Sequence, residues 1–415
     1  MAKPFPKWDA CNTYLFIQAF FSFAFTLFAT TNLIYQAVVV GLSPLQLVLV
    51  GTTLEIATFL FEIPTGVVAD VYSRRLSVII GYLLIGLGFM VEAVPTFFTV
   101  LLAQIIWGIG YTFTSGALDA WIVDEVGKEN ANAAFLRGSQ TGQVAGFVGL
   151  WVAILLASIQ LNLPHIVSGS ILVVLSIVLI FVMPETGFQR VPAAERESWR
   201  DLFKTLGEGL RLIRLRRVLL MIVGTSLLVG LFSEGWDRLW TPHLLGAFGL
   251  PEATGSFGTI ALFGVIGSVS TVLSLIVTEW IKRRNLQTHS QLSGALMIAY
   301  GVVGLGVIGF ALAGHLVIAL AALWLVGIAR TVSAPLFMAW INNHTEANVR
   351  ATVISVASQA NAFGQIAGGP PIGLLGNRFG LSIAISIAGL MMLPTVWLAG
   401  RIRKQKQTTG DVVHV

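Results

Sequence analysis

The chain has 415 residues, 55% of them apolar and only 11% charged, with a mean hydropathy of +0.83. So few charges cannot cover a water-soluble surface of this size, so lipid is the main solvent. Cys11 is the single cysteine, which excludes an intrachain disulfide, a Cys-rich metal site and an iron–sulfur cluster.

Lys3 and Lys7 precede an apolar run too long for a signal-peptide core, so the first span reads as an uncleaved anchor. A hydrocarbon layer about 30 Å thick needs roughly 20 apolar residues per helical crossing. Twelve spans are predicted, at about 11–37, 44–70, 75–94, 97–121, 132–158, 164–183, 217–242, 254–281, 290–312, 315–341, 350–376 and 380–400. Open strands would strand backbone groups in lipid, and the short alternating pattern of a membrane barrel is absent. The fold class is therefore an all-α membrane protein with twelve transmembrane helices.

With both termini in the cytoplasm, 22 of the 25 basic residues fall on the inner side, leaving only Arg238, Arg330 and Arg378. That obeys the positive-inside rule and explains a pI near 9.5 without nucleic acid. The six histidines never stand at metal-ligand spacing, and no phosphate loop with its lysine occurs. No metal, cofactor or ATP motor is expected.

Between the second and third spans the chain reads Gly66-Val-Val-Ala-Asp70-Val-Tyr-Ser-Arg74-Arg75. A second copy, Val277-Thr-Glu279-Trp-Ile-Lys-Arg283-Arg284, aligns valine, acid and both arginines at a shift of 209 residues. Gly108–Ile122 aligns with Gly327–Ile341, and Gly142-Gln-Val-Ala-Gly146 with Gly364-Gln-Ile-Ala-Gly368. Equivalent spans lie six helices apart, so the halves share one orientation about an axis along the membrane normal. The domains are 1–183, a cytoplasmic linker at 184–216, and 217–415. Within the linker, the segment from Ser198 to Arg214 has the pattern of an amphipathic interfacial helix.

These features together resemble the major facilitator superfamily over nearly the whole chain. Its loop pattern is Gly-x-x-x-Asp-x-x-Gly-Arg-Lys/Arg, with Ser73 here at a usual glycine position. The resemblance implies two pseudo-symmetric six-helix bundles around a central cavity, working by alternating access. It also implies a cytoplasmic latch, carried here by Gly66, Asp70, Arg74 and Arg75, with Asp119, Glu279 and Arg283 as further gate residues. Two exporter signatures of the family are incomplete: no proline follows Gly146 in the fifth span, and Gln104 stands where an arginine is usual.

Small residues Gly142, Gly146, Gly364 and Gly368 read as close-packing helix faces, and Pro370 and Pro371 as a kinked gate helix. Ionisable residues within spans are costly and point to function. Glu55 and Glu62 lie seven apart on one face of the second span, where burial would let a carboxylate load and release protons. Glu234, Asp237 and Arg238 share a face of the seventh span, with the spacing to pair as an outer gate or vestibule. Arg330 sits in the tenth span with no acid nearby in sequence, so it calls for a carboxylate or an anionic substrate group.

Substrate-binding candidates are Arg330, Tyr111, Trp107, Gln18, Trp236, Glu234 and Asp237, with Phe25, Trp240 and Trp324 as further aromatic walls; Trp240 and Trp121 also suit an interface belt. The expected function is proton-coupled efflux of amphipathic small molecules or drugs by a monomer in a bacterial cytoplasmic membrane. An importer of an organic anion or nutrient is the alternative, and a non-transporting receptor or scaffold the second. An enzyme is not expected, since no nucleophile–base pair is visible.

Overall fold

The computed structural model describes residues 8–189, 217–248, 250, 257–284, 289–345 and 347–410. Among them every regular element is helical. The first half contains α1 (Ala10–Ile34) with a π turn at Tyr35–Val39, α2 (Pro44–Val71), α3 (Arg74–Glu92), α4 (Phe97–Thr114), α5 (Ala117–Val126), α6 (Lys128–Ile159) and α7 (Leu163–Val182). The second contains α8 (Arg217–Ala247), α9 (Phe257–Arg283), α10 (His289–Ala311), α11 (Leu316–His344), α12 (Ala347–Phe379) and α13 (Leu381–Gly410). The amphipathic segment expected from Ser198 to Arg214 lies outside the described residues.

Eleven helical stretches are long and apolar enough to cross a membrane, among the described residues. α12 is not one of them: it has 33 residues, but its glycines and amides dilute its apolar character. The predicted fourth span is not one continuous helix. It breaks where Ser115 leaves the helical region and Gly116 turns to φ +72°, a conformation glycine adopts without Cβ strain. Hydropathy runs through this break unchanged, so the span pattern carried no sign of it.

By contact, the chain divides into two compact units. The first comprises Met1–Leu42, Thr53–Trp199 and Pro251–Gly264; the second comprises Ser43–Thr52, Arg200–Leu250 and Val265–Val415. The same pairings recur within each. α1 packs on α6, α3 on α4 and α3 on α7 in the first unit; α8 packs on α12, α10 on α11 and α10 on α13 in the second. Glycines permit the closest approaches. Gly86 and Gly169 face each other's carbonyl oxygens across α3 and α7, as Gly304 and Gly389 do across α10 and α13.

The small-residue faces are filled by backbone at Gly149, Gly364 and Gly368 and by hydroxyl groups at Gly142 and Gly146. A Cβ on Gly149 would stand 2.6 Å from the Phe23 carbonyl oxygen, and one on Gly368 2.5 Å from that of Leu231. Gly364 is equally tight against Leu227, while Gly142 and Gly146 meet Ser22 and Thr26 hydroxyls. Pro370 and Pro371 lie inside α12, which continues through them. Gly149→Leu or Gly368→Val is expected to lose about 1–3 kcal/mol or more, because backbone cannot step aside. Gly66→Ala, where a Cβ meets nothing within 4 Å, should unfold at the wild-type temperature. Thermal unfolding of the purified variants checks both.

Candidate functional site

In the second unit, α8 carries Asp237 and α11 carries Arg330, and the two meet side by side. The guanidinium donates through both terminal nitrogens, one to Oδ1 and the other to Oδ2 at 2.9 Å. A fork of two parallel N–H bonds is the strongest arrangement available to this pair. The Arg330 side chain is 35% exposed and that of Asp237 45%, so protein does not seal the pair. The guanidinium also lies 5.7 Å from the centroid of the Phe232 ring, within cation–π range.

Arg330 lines a cavity of about 400 Å³ within this unit. Phe232 and Phe337 supply aromatic wall, while Ser226, Ser358 and Asn361 supply hydroxyl and amide groups. Asn361 is held in place: its Nδ2 donates to the Ser226 carbonyl at 3.1 Å, and its Oδ1 accepts from Gln365 Nε2 at 2.9 Å. A mostly apolar space with a few fixed polar groups is suited to a small molecule with a polar head.

The expected pairing within α8 is only half kept. Glu234 does bond Arg238, at 2.9 Å, but Asp237 turns to Arg330 instead. Glu234 is buried against Gly51, in the Ser43–Thr52 segment of the second unit; a Cβ there would overlap its carboxylate. Leu45 N in the same segment donates to Asn377 Oδ1 at 3.1 Å. Trp236 does not line the cavity. It is buried with its ring edge-on to Phe310, centroids 5.2 Å apart. Trp324 Nε1 donates to the Ile266 carbonyl at 3.2 Å.

Trp240 of α8 is half-buried in the second unit, while Gln18, Phe25, Trp107 and Tyr111 lie in the first. Gln18 Nε2 donates to Tyr14 Oη at 2.9 Å, and Trp107 joins a ring cluster with Phe25, Phe28 and Phe89. Tyr111 is exposed. Glu55 is half-buried and Glu62 exposed on the surface of α2. Trp121 is no interface-belt residue: it is fully buried and its Nε1 donates to the Pro184 carbonyl at 2.8 Å. Its repeat partner Trp340 is likewise buried, bonding Ser293 Oγ at 3.0 Å.

At the start of α3 the loop residues form a network within the first unit. Asp70 and Arg74 approach to 3.8 Å, but the closer partner of Arg74 is Asp124 of α5, and it also donates to the Ala120 carbonyl at 3.1 Å. Ser73 caps α3, its Oγ accepting from Leu76 N, and donates to Glu185 at 2.7 Å. Arg75 N donates to Glu185 Oε1 at 2.9 Å. Glu125 accepts from Thr186 N, Thr186 Oγ1 and Gly187 N at 2.5–2.8 Å. Asp119 is exposed outside this network. Sequence reading missed Glu185, which looks like an ordinary loop charge beside Pro184. The second motif copy is plainer: Glu279 pairs Arg283 at 3.1 Å, both exposed, a kind of contact worth little.

The model of the Major Facilitator Superfamily matches residues 14–369. An uncharacterized MFS-type transporter of Bacillus subtilis (strain 168), YxaM, is 23% identical over 382 residues, covering 89% of this chain and 90% of that relative. Among solved structures, the nucleoside transporter NupG superposes with a TM-score of 0.73 at 15% identity, over 95% of this chain and 99% of that one. A bacterial homolog of the human lysosomal transporter Spinster, inward-facing and unoccupied, gives 0.67 at 16% identity over 94% of each chain. A POT family transporter in complex with 5-aminolevulinic acid gives 0.68 at 13%, over 95% and 96%.

Proposed function

We propose, for a chain that belongs to the Major Facilitator Superfamily and is a multi-pass membrane transporter, proton-coupled export of small amphipathic molecules by alternating access. The observation that carries this reading is the Arg330–Asp237 fork at a cavity with aromatic walls and few polar groups. Because Arg330 already holds a carboxylate, the site has no standing need for an anionic substrate. A neutral or cationic molecule with an apolar body fits it better. Glu62 and Glu55 are the proposed proton carriers, on one face of α2. The protein works as a monomer in the cytoplasmic membrane, with both termini inside.

A second reading is import of a polar nutrient. Asn361 and the serines of the cavity favour it, since a hydrogen-bonding solute would use them. Two of the proteins of like fold are named for nucleosides and for the POT family, a likeness of fold alone at these identities.

The deciding experiment measures fluorescent-cation accumulation in a pump-deficient bacterium, with wild type and Glu62→Gln, with and without a protonophore. Wild type should lower accumulation, and both the variant and the protonophore should abolish the effect. Unchanged accumulation with well-expressed wild type would sink the export reading and turn the assay to uptake of polar solutes.

A further inference from the structure

The first unit encloses a polar cluster that plays no part in the transport reading above. Glu92 ends α3 and is fully buried. Gln36, from the π turn after α1, donates through Nε2 to Glu92 Oε1 at 2.6 Å. Gln104 of α4 donates through Nε2 to Glu92 Oε2 at 2.9 Å. Gln36 Nε2 also reaches Asn32 Oδ1 at 3.0 Å, and that oxygen lies 3.3 Å from His165 Nε2 of α7. Gln36, Gln104 and His165 have no exposed surface. α1 with its π turn, α3, α4 and α7 thus converge on one carboxyl group. π turns concentrate at functional positions in helices.

The cluster is not closed. Gln36 Oε1, Gln104 Oε1 and the Tyr35 hydroxyl are buried and have no hydrogen-bond partner among the described residues. Two of these orphaned oxygens belong to the carboxamides that hold Glu92. A buried acceptor without a donor is costly, and so is a buried charge.

We propose that Glu92 is a proton-binding site, with the Gln36 and Gln104 carboxamides built to hold both of its forms. As a carboxylate, Glu92 accepts one N–H from each amide, the arrangement seen here. When a proton adds to one of its oxygens, the facing carboxamide turns over, and its orphaned oxygen accepts the new O–H while the other amide still donates. No covalent bond breaks other than that to the proton's previous carrier. The charge disappears from a low-dielectric interior, and the side-chain shell stays in place.

Among the described residues, the following titratable groups stand on the elements around Glu92. Tyr35 lies within its electrostatic reach, and His165 stacks on Tyr35 with ring centroids 4.4 Å apart. α4 contributes Gln104, its one titratable side chain, Tyr111, standing near its other end. Asp119, Asp124 and Glu125 of α5 lie beyond that end of α4. Arg74 and Arg75 open α3, roughly 27 Å of helical rise away. This site is separate from Glu55 and Glu62, so it stands whether or not those residues carry protons.

The test reads protonation rather than transport. Infrared difference spectra of the full chain in lipid nanodiscs are recorded through steps of pH, for wild type, Glu92→Gln and Gln104→Leu. A protonated-carboxyl band should grow in wild type as pH falls and be missing from Glu92→Gln. In Gln104→Leu, which keeps the carboxyl and removes one amide, its midpoint should move by about tenfold in proton concentration. If Glu92→Gln fails to fold, the midpoint in Gln104→Leu decides. A band that ignores both variants means Glu92 does not change protonation across the pH range and is a structural residue, which overturns the proposal. So does a wild-type spectrum without the band but with a melting temperature that rises when sodium replaces choline, since the cluster would then hold a metal cation.

Discussion

Arg330→Ala and Asp237→Asn should each weaken substrate binding by roughly 10- to 150-fold while the protein still folds. One charge-assisted hydrogen bond is worth about 1.5–3 kcal/mol, which is that range in affinity. Folding survives because both side chains are more than a third exposed, so whichever charge is left alone is not enclosed by protein. Arg330→Ala also uncovers the Phe232 face and leaves the Asp237 carboxylate without its fork.

The swapped pair, Asp237→Arg with Arg330→Asp, separates a site from a strut. It restores opposite charges between α8 and α11 but moves the guanidinium to the other helix, away from its place against Phe232. Expression should recover and binding should not, measured by substrate-dependent tryptophan fluorescence and by transport in proteoliposomes. Wild-type transport by the swapped pair would mean that the ion pair only ties two helices together. The cavity would then lose its claim as the substrate site.

Arg74→Ala should be the most damaging change at the other end of the first unit, costing about 2–3 kcal/mol, somewhat less than the usual loss for a broken buried pair. The discount reflects side-chain exposures of 15% for Arg74 and 24% for Asp124. The variant removes the partner of the Asp124 carboxylate and a donor to the Ala120 carbonyl together. Arg74→Lys should rescue only part of it, because a single guanidinium nitrogen reaches both acceptors from a planar, fixed group, and lysine offers a point charge on a more flexible stem in its place. Ser73→Gly, which restores the residue usual in the loop pattern, should still destabilise. It removes the cap on Leu76 N and the bonds to Glu185. If the network acts as a latch, transport falls at least tenfold with substrate binding unchanged. Thermal unfolding, binding and transport measured on one preparation separate the two effects. A stable Arg74→Ala protein with normal transport would reduce the loop to topogenic charge.

The duplication was legible in the sequence because both copies of each helix answer the same packing demand. Trp121 and Trp340, or Gly142 and Gly364, recur since a closely packed helix leaves few residue choices at a contact. The paired glycines Gly86–Gly169 and Gly304–Gly389 follow the same rule, though no short motif marks them. The break at Ser115–Gly116 was hidden, because hydropathy measures solvent preference and is indifferent to one residue's φ. Glu92 and Glu185 were hidden for another reason. Acids near span ends read as solvent-facing charge, and only the neighbouring chain shows whether water reaches them.

The partner of Arg330 is the sharpest case. Spacing along α8 put Glu234, Asp237 and Arg238 on one face; the structure keeps the Glu234–Arg238 pair four residues apart but joins Asp237 to a residue 93 positions away. Local spacing says which side chains share a face; it does not say which facing helix offers a better acceptor. By itself, then, the sequence determined the solvent, the helical class, the twofold internal repeat and the family, since each rests on composition or local period. The tertiary structure alone decided which charges are paired, which are buried and where a cavity remains. Those depend on distances between helices far apart in the chain, and electrostatic and hydrogen-bond energies change steeply over a few ångströms.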